Sequence, residues 1–447
     1  MKNILIIQRD EAYFLFETIQ VLEKYSHHFK DYEITLLVNE ESLNQVYDNS
    51  SPIIKGITWD ESRVLEAVYD LSVNLSLEEG TWDLHGLINS RKKVGPYRKN
   101  NQLIVNDLWS TYLITLKAKA PFLTFHLQDI YRNILGLKEL KLKEQKKTSI
   151  NQIAFALTSP DIFPASEQEA LINTISRENP HTIVLDATEV DDIADLSQTL
   201  YIGPAGLKAL KICENGGTAI LLTGSFQGFN YLPMSEKSFV VSSRNQQFTS
   251  SELNKIVNKI LKHEVPLDSS YSLYQTDCTV FSGSYLKSLN TTDNNYPFYQ
   301  THVVLWNFLL NLSDINLEVT KCNPSQINLL KNNQEVLRKY IRLHEYAMAS
   351  IDIIYRESKA TQSDPDIIEG HLKNLREISQ LAHQLAESHS FIRPVLDFYH
   401  IRHGQNQGTD LVEQSKESLL SYSEEHQVLE ALLELFSVTI KQNEVSI

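Results

Sequence analysis

Two adjacent carboxylates, Asp10 and Glu11, stand in the turn after the first apolar run of the chain, Asn3-Ile4-Leu5-Ile6-Ile7. Ligands collect at the carboxyl ends of strands in open α/β sheets, so this turn is the first candidate for a dinucleotide or sugar-nucleotide site. The segment Asp10-Glu11-Ala12-Tyr13-Phe14 contains no glycine, and without one the backbone does not readily form the tight phosphate-hugging turn of G-x-G-x-x-G. A basic stretch, Ser90-Arg91-Lys92-Lys93-Val94-Gly95-Pro96-Tyr97-Arg98-Lys99, could steer an anionic ligand in a chain that is otherwise acidic. Its ordinary reading is a solvated loop. His400 and His403 have a spacing that can present two imidazoles to one metal, but no acidic partner stands at a motif-defined distance, so polar surface is the better reading and no metal is expected. His344 lies on an apolar stripe and reads as a core histidine. Gly224-Ser225-Phe226-Gln227-Gly228 lacks the central serine of a nucleophile elbow, and Ser284-Tyr285-Leu286-Lys287 lacks the companions of S-x-x-K.

The elements that must position these residues alternate in the βαβ manner, which builds parallel sheets. A helix is expected from Glu11 to Tyr25, with strands at Glu33–Val38, Ile53–Thr58 and Tyr69–Leu75. The charged segment Leu137–Thr148 has the composition of a connection between domains. A second set follows: a strand at Gln152–Leu157, a helix over Ser166–Arg177, a strand at His181–Asp186, then Leu200-Tyr201-Ile202, a short helix to Glu214 and a strand at Thr218–Leu222. It is expected to be the smaller sheet domain. Residues 266–298 read as loops with a short strand at most. Beyond them Leu330, Leu337, Ile341, His344, Met348, Ile351 and Tyr355 share one helical face. Ile368, Leu372, Leu375, Ile378, Ala382 and Leu385 mark a second helix opened by Asp364-Pro365, and Leu429, Leu432, Leu433, Phe436 and Ile440 a last one. The expected division is an α/β domain over 1–140, a second over 150–265 and a helical C-terminal module over 299–447. Such stripes are usually core; a dimer or partner groove is the other reading.

At 447 residues the chain is too long for one ordinary core. A formal charge of -15 argues against nonspecific nucleic-acid binding, which depends on Lys and Arg displacing counterions. Cys213, Cys278 and Cys322 are far apart, so neither a disulfide framework nor a thiolate metal site is suggested and a reducing compartment fits. There is no signal-peptide pattern and no run of 18 apolar residues, so a cytosolic location is expected.

Two sheet domains in tandem suggest the GT-B arrangement of two Rossmann-like domains found in glycosyltransferases. The chain resembles the heptosyltransferase-like family, glycosyltransferase family 9, over about residues 3–260. The resemblance rests on Asn3 to Val38, Tyr69-Asp70-Leu71-Ser72-Val73-Asn74-Leu75, Asn106-Asp107-Leu108-Trp109-Ser110, Phe125-His126-Leu127-Gln128-Asp129-Ile130-Tyr131 with Leu135-Gly136-Leu137, and Leu200 to Leu210 followed by Ala219 to Gly224. It implies inverting, metal-independent transfer of a sugar, often heptose from an ADP-heptose donor, to lipopolysaccharide core or a related envelope glycan. No cofactor is implied beyond the donor substrate. Such transfer requires a carboxylate base near the acceptor hydroxyl and donors that neutralise the leaving diphosphate.

The resemblance makes Asp10 or Glu11 the candidate base, although the family's Gly-Asp pair aligns with Tyr13 and Phe14; the other reading of Asp10 is a turn or capping residue. Gly203, Ala205, Gly206, Lys208 and Gly224 become the donor-side candidates, where backbone N–H groups at a helix start and a lysine could meet a phosphate. The family's Asp-Thr-Gly, its following histidine and the lysine after the strand at Ala154–Leu157 are not kept. Arg91, Lys92, Lys93 and Arg98 become the acceptor-side candidates. Two functions compete: a glycosyltransferase acting on a nucleotide sugar and a glycan, and a catalytically degenerate relative that binds or scaffolds through its cleft or C-terminal helices, with homo-oligomerisation or a protein partner there. Contact with the inner face of a membrane would follow only from a lipid-linked acceptor, and the acidic balance gives it no support.

Overall fold

The computed structural model describes residues 2–44, 46, 54–58, 63–117, 124–137, 149–186, 195–225, 232–233, 235–243, 246–266, 270–279, 283–290, 296–310, 322, 324–389, 393–404 and 410–444. The first unit comprises β1 (Lys2–Ile7), α1 (Ala12–Lys24), β2 (Tyr32–Val38), β3 (Ile54–Thr58), α2 (Arg63–Glu66), β4 (Leu71–Asn74), α3 (Glu79–Leu87) and β5 (Lys93–Val94). Its strands are all parallel, in the order β3-β2-β1-β4-β5. β1 is central and buried on both faces, which is why it reads as a continuous apolar run. Ile4 and Ile6 enter the main core, while Leu5 and Ile7 pack on the opposite face with Leu84 of α3 and Ile88 just after it. Connections leave β1 in opposite directions, so a crevice opens at the carboxyl ends of β1 and β4.

The basic stretch is not one loop. Lys93 and Val94 form β5, and β6 (Tyr97–Lys99) pairs with β7 (Gln102–Ile104) as a hairpin. Its two-residue turn places Asn100 and Asn101 at φ 53 and 64, the left-handed conformation that asparagine tolerates in such turns. α4 (Leu108–Lys117) and α5 (Leu127–Ile134) complete the unit. Beyond Leu137 the expected connection, 138–148, lies outside the described residues.

The second unit runs β8 (Gln152–Phe155), α6 (Ala165–Glu178), β9 (Ile183–Asp186), β10 (Thr199–Gly203), α7 (Leu207–Glu214), β11 (Thr218–Thr223), β12 (Ser238–Ser242), α8 (Ser250–Leu261), β13 (Ser272–Thr279) and β14 (Gly283–Asn290). Strand order is β9-β8-β10-β11-β12-β13-β14, with the last two antiparallel. Among the described residues this sheet has seven strands, against five in the main sheet of the first unit. The difference is the hairpin β13–β14, in a segment read as loop. Its strands carry many Ser, Thr and Asn residues, so strand character comes from pairing with β12, which buries Leu273 and Tyr274, and not from local propensity.

The C-terminal helices are α9 (Tyr296–Leu309), α10 (Pro324–Lys359), α11 (Pro365–Ser388), α12 (Arg393–Gly404) and α13 (Leu411–Glu444). Leu330, Leu337, Ile341, His344 and Ile351 on α10 are buried, as are Leu429, Leu432, Phe436 and Ile440 on α13. Asp364 caps α11 by accepting the N–H of Asp366 at 3.0 Å, with Pro365 in the first turn. α11 lies on the outside of α10, and among its residues only Ala386 is buried. The helices share the core of the first unit: Trp306 packs on Tyr112 of α4 at 4.7 Å between ring centroids and on Phe398 of α12 at 5.3 Å. The observed class, α/β with two Rossmann-like units and an added helical module, is the expected one.

Polar contacts join the two sheet units. Lys24 pairs with Glu214 at 2.8 Å, and the Gln128 amide donates to Glu214 at 2.8 Å and to Glu17 at 2.5 Å. His126 caps α5: its Nδ1 accepts the N–H of Gln128, and its Nε2 lies 2.8 Å from the Leu232 carbonyl. A carbonyl only accepts and an amide N–H only donates, so the proton sits on Nε2. Burial, which lowers the imidazole pKa to about 4, keeps the ring neutral.

Candidate functional site

Asp10 stands in the crevice between β1 and β4. Its carboxylate accepts the Leu77 N–H at 2.8 Å and the Ser76 hydroxyl at 3.1 Å. Ser76 is held by Asn74, the last residue of β4, whose Oδ1 accepts the Ser76 N–H at 3.0 Å while its amide donates to the Pro96 carbonyl at 3.1 Å. Burial pushes the Asp10 pKa from 3.8 to about 6; the bonds from Leu77 and Ser76 pull against that rise and the nearby Glu78 adds to it. A carboxylate that titrates near neutrality accepts a proton from a hydroxyl far better than an ordinary aspartate does.

An open cleft of about 740 Å³ adjoins this carboxylate, lined by Arg9, Asp10, Glu11, Ala12, Phe14, Asn39, Glu41, Ser42 and Glu78. Asn39 receives the Arg9 Nε–H at 2.8 Å, and Glu78 lies 3.9 Å from the same guanidinium. Glu11 is exposed at the start of α1, where its carbonyl accepts the Phe14 N–H. Tyr13 turns into the core while Phe14 lines the cleft. Arg9 adjoins Asp10 in sequence; Asn39, Ser76, Leu77 and Glu78 arrive by topology and were not singled out by sequence reading.

The donor-side candidates gather at the corresponding crevice of the second sheet, where order reverses between β8 and β10. Gly203 ends β10, and a Cβ there would stand 2.7 Å from that of Ala156, so only glycine fits this close approach of strands. The Tyr201 hydroxyl donates to the Pro204 carbonyl at 2.9 Å and fixes the turn. Gly206 precedes α7 facing open space, Ala205 and Lys208 beside it are half-buried, and Gly224 follows the neighbouring β11.

The basic candidates Arg91, Lys92, Lys93 and Arg98 are not among the residues that line the Asp10 cleft. Arg91 pairs with Asp70 at 3.0 Å, and Asp70 accepts the Asn3 N–H. Arg91 and exposed Lys92 thus lie at the amino ends of the strands, opposite Asp10. Lys93 donates to the carbonyls of His85 at 2.6 Å and Gly86 at 2.7 Å. Arg98 pairs with Asp83 and Glu79 and lies over the Trp82 ring. Lys93 and Arg98 hold the α3–β6 packing together.

In the helical module His344 is buried, as expected of a core histidine, and its partner is Glu425, which sequence reading missed. That carboxylate accepts from Tyr340 at 2.6 Å, His344 at 2.9 Å and His403 at 3.2 Å. Burial drives its pKa upward, but the bonds from His344 and His403 outweigh this and hold it at about 2. Among the described residues no group of three His, Cys, Asp or Glu side chains could hold a metal ion.

Two doubly wound open α/β sheets, each with a crevice at its topological switch point, define the class of this protein. No family model and no curated protein matches the chain. Solved structures similar to it are glycosyltransferases. The E. coli heptosyltransferase WaaC with ADP is 9% identical, with a TM-score of 0.41, over 57% of this chain and 99% of that one. The E. coli ADP-heptose lps heptosyltransferase II is 11% identical, with a TM-score of 0.40, over 59% and 99%. A glycosyl transferase family 9 structure from Veillonella parvula is 13% identical, with a TM-score of 0.38, over 59% and 98%.

Proposed function

We propose that the chain is a glycosyltransferase-like protein that moves a sugar from a nucleotide-sugar donor to a glycan acceptor. Asp10 acts as the base that takes the acceptor hydroxyl proton, and the turn Gly203–Gly206 with Lys208 receives the donor diphosphate. The observation that carries this reading is the position of Asp10: a carboxyl titrating near 6, at the switch point of a parallel sheet, on the wall of an open cleft. Glu11, exposed one residue away, is the alternative base. An ADP-sugar is the first donor to try, and no metal is invoked.

A second reading has its own support. The bonds from Leu77 and Ser76 also make Asp10 an anchor for the loop after β4, which suits a degenerate relative that binds without catalysis. Titration with ADP- and UDP-sugars, followed by calorimetry and thermal shift, separates the two. If no nucleotide sugar binds at millimolar concentration, the transferase reading is dropped. If one binds and Asp10→Asn with Glu11→Gln leaves transfer intact, the base is elsewhere.

A further inference from the structure

Between β1 and Asp10 stands Gln8, a polar side chain only 1% exposed. Its N–H donates to the Leu37 carbonyl at 2.9 Å and extends the pairing of β1 with β2 by one residue. Its side-chain amide turns inward, where Nε2 donates to the Tyr131 hydroxyl of α5 at 3.0 Å and to Thr18 Oγ1 of α1 at 3.3 Å. Thr18 and Tyr131 are fully buried. Burying such groups is unfavourable unless each is hydrogen-bonded, and here each is.

The directions of these bonds are fixed. The Thr18 hydroxyl donates to the Phe14 carbonyl at 2.9 Å, so its oxygen accepts from the Gln8 amide and from the Tyr131 hydroxyl, which also meets it. Burial first, and the Asp10 charge next, raise the Tyr131 pKa well above its ordinary value, so the phenol keeps its proton wherever Asp10 titrates. With Nε2 held by two acceptors, Oε1 of Gln8 faces the other way and accepts the Asp10 N–H at 3.3 Å. A flipped amide would oppose two donors at Asp10 and lose the bond to Thr18, whose proton is committed to Phe14. Asp10 is thus held from two sides, its N–H by Gln8 and its carboxylate by Leu77 and Ser76. The charged groups facing this arrangement are Arg9, Glu11, Glu41 and Glu78 in the cleft wall and Glu17 of α1. The cleft beside Asp10 is open, so a loosened turn would swing the carboxylate into water and remove the burial that raises its pKa.

We propose that Tyr131, together with Thr18, is a positioning residue for Asp10: acting through the Gln8 amide, it holds the turn so that the Asp10 carboxylate stays against the Leu77 N–H at the cleft wall. The proposal rests on the reading of Asp10 as the base, but it is testable without turnover.

Urea unfolding between pH 3.5 and pH 8 is compared for the full chain and for Tyr131→Phe, Thr18→Val and Thr18→Ser, each with and without Asp10→Asn. The stability gap between a chain and its Asp10→Asn counterpart reports the ionisation of Asp10, because the other groups are common to both. In the native background the gap opens above pH 3.8 and levels off near pH 6. In Tyr131→Phe and Thr18→Val it should level off at about pH 5 or below, with a smaller plateau, as the carboxylate gains water. Thr18→Ser keeps the hydroxyl and should level off where the native chain does. A purely structural tyrosine would lower stability and leave the levelling-off in place. An unmoved levelling-off in the variants lacking a hydroxyl therefore overturns the proposal, as does a moved one in Thr18→Ser. Tyr131→Phe and Thr18→Val act from different helices, so the measurement survives if one of them fails to fold. Titration of the native chain with ADP- and UDP-sugars keeps the two readings apart. A lowered levelling-off without nucleotide-sugar binding would sink the transferase reading and leave the positioning intact; nucleotide-sugar binding with an unmoved levelling-off would sink the positioning alone.

Discussion

Replacing Asp10 with asparagine should make the protein more stable and less active. The carboxyl is pushed from 3.8 to about 6 in the fold, mainly by burial. At 1.36 kcal/mol per unit, keeping it ionised costs about 3 kcal/mol relative to a neutral isostere. Asparagine retains an oxygen for the Leu77 N–H and turns its amide towards the Ser76 hydroxyl, which must then accept, so the expected net gain is about 2 kcal/mol. The sign follows from the raised pKa. Below pH 3.8 the carboxyl is neutral in both folded and unfolded chains and the variant gains nothing; as pH rises through 6 the native chain loses stability that the Asp10→Asn variant keeps. Thermal unfolding at pH 3.5 and pH 8 should therefore show no difference at the first and a rise of roughly 2 °C at the second. Sugar transfer at pH 8 should fall by about 10²- to 10⁴-fold. A variant no more stable at pH 8, or one that transfers at the native rate, would refute the account of Asp10 as a strained base.

Glu425→Gln should destabilise the helical module by about 3 kcal/mol, because the amide presents a donor to imidazoles that already donate. The native carboxyl has a depressed pKa of about 2 against 4.5, so its contribution is present above pH 4.5 and disappears as pH falls towards 2; circular dichroism across that range checks it. Glu17, fully buried, is raised to about 8 by burial first and by Glu214 next, so Glu17→Gln should be neutral below pH 4.5 and stabilising above pH 8 in urea unfolding. Trp306→Ala should cost about 3–5 kcal/mol by leaving a cavity between Tyr112 and Phe398, and hydrogen exchange should show α9 and α12 loosening together.

Much of the fold is legible in local pattern. β1 and β2 are continuous apolar runs because both faces of a parallel sheet are covered, and the stripes of α10 and α13 bury the residues their spacing selects. The hairpin β13–β14 was not legible, since its strand character comes from pairing with β12. The site divides in the same way. Asp10 could be singled out because a strand end followed by a helix is a local signal. Its partners Ser76 and Leu77 are 66 and 67 residues away, and no spacing rule connects them. The basic stretch looked like a ligand contact because its charge is visible in sequence, whereas its ion pairs and carbonyl contacts are not.

What the sequence by itself determined is which segments alternate as strand and helix, which helical faces must be buried, and that acidic side chains close the first turn. Tertiary structure alone decided that Asp10 lies at a switch point with a perturbed carboxyl, that Arg91 and Lys92 lie at the opposite edge, and that Glu425 gathers two histidines and a tyrosine. The physical reason is that periodicity and turn chemistry act over a few residues. Desolvation and charge pairing depend on which distant segments the strand order makes neighbours.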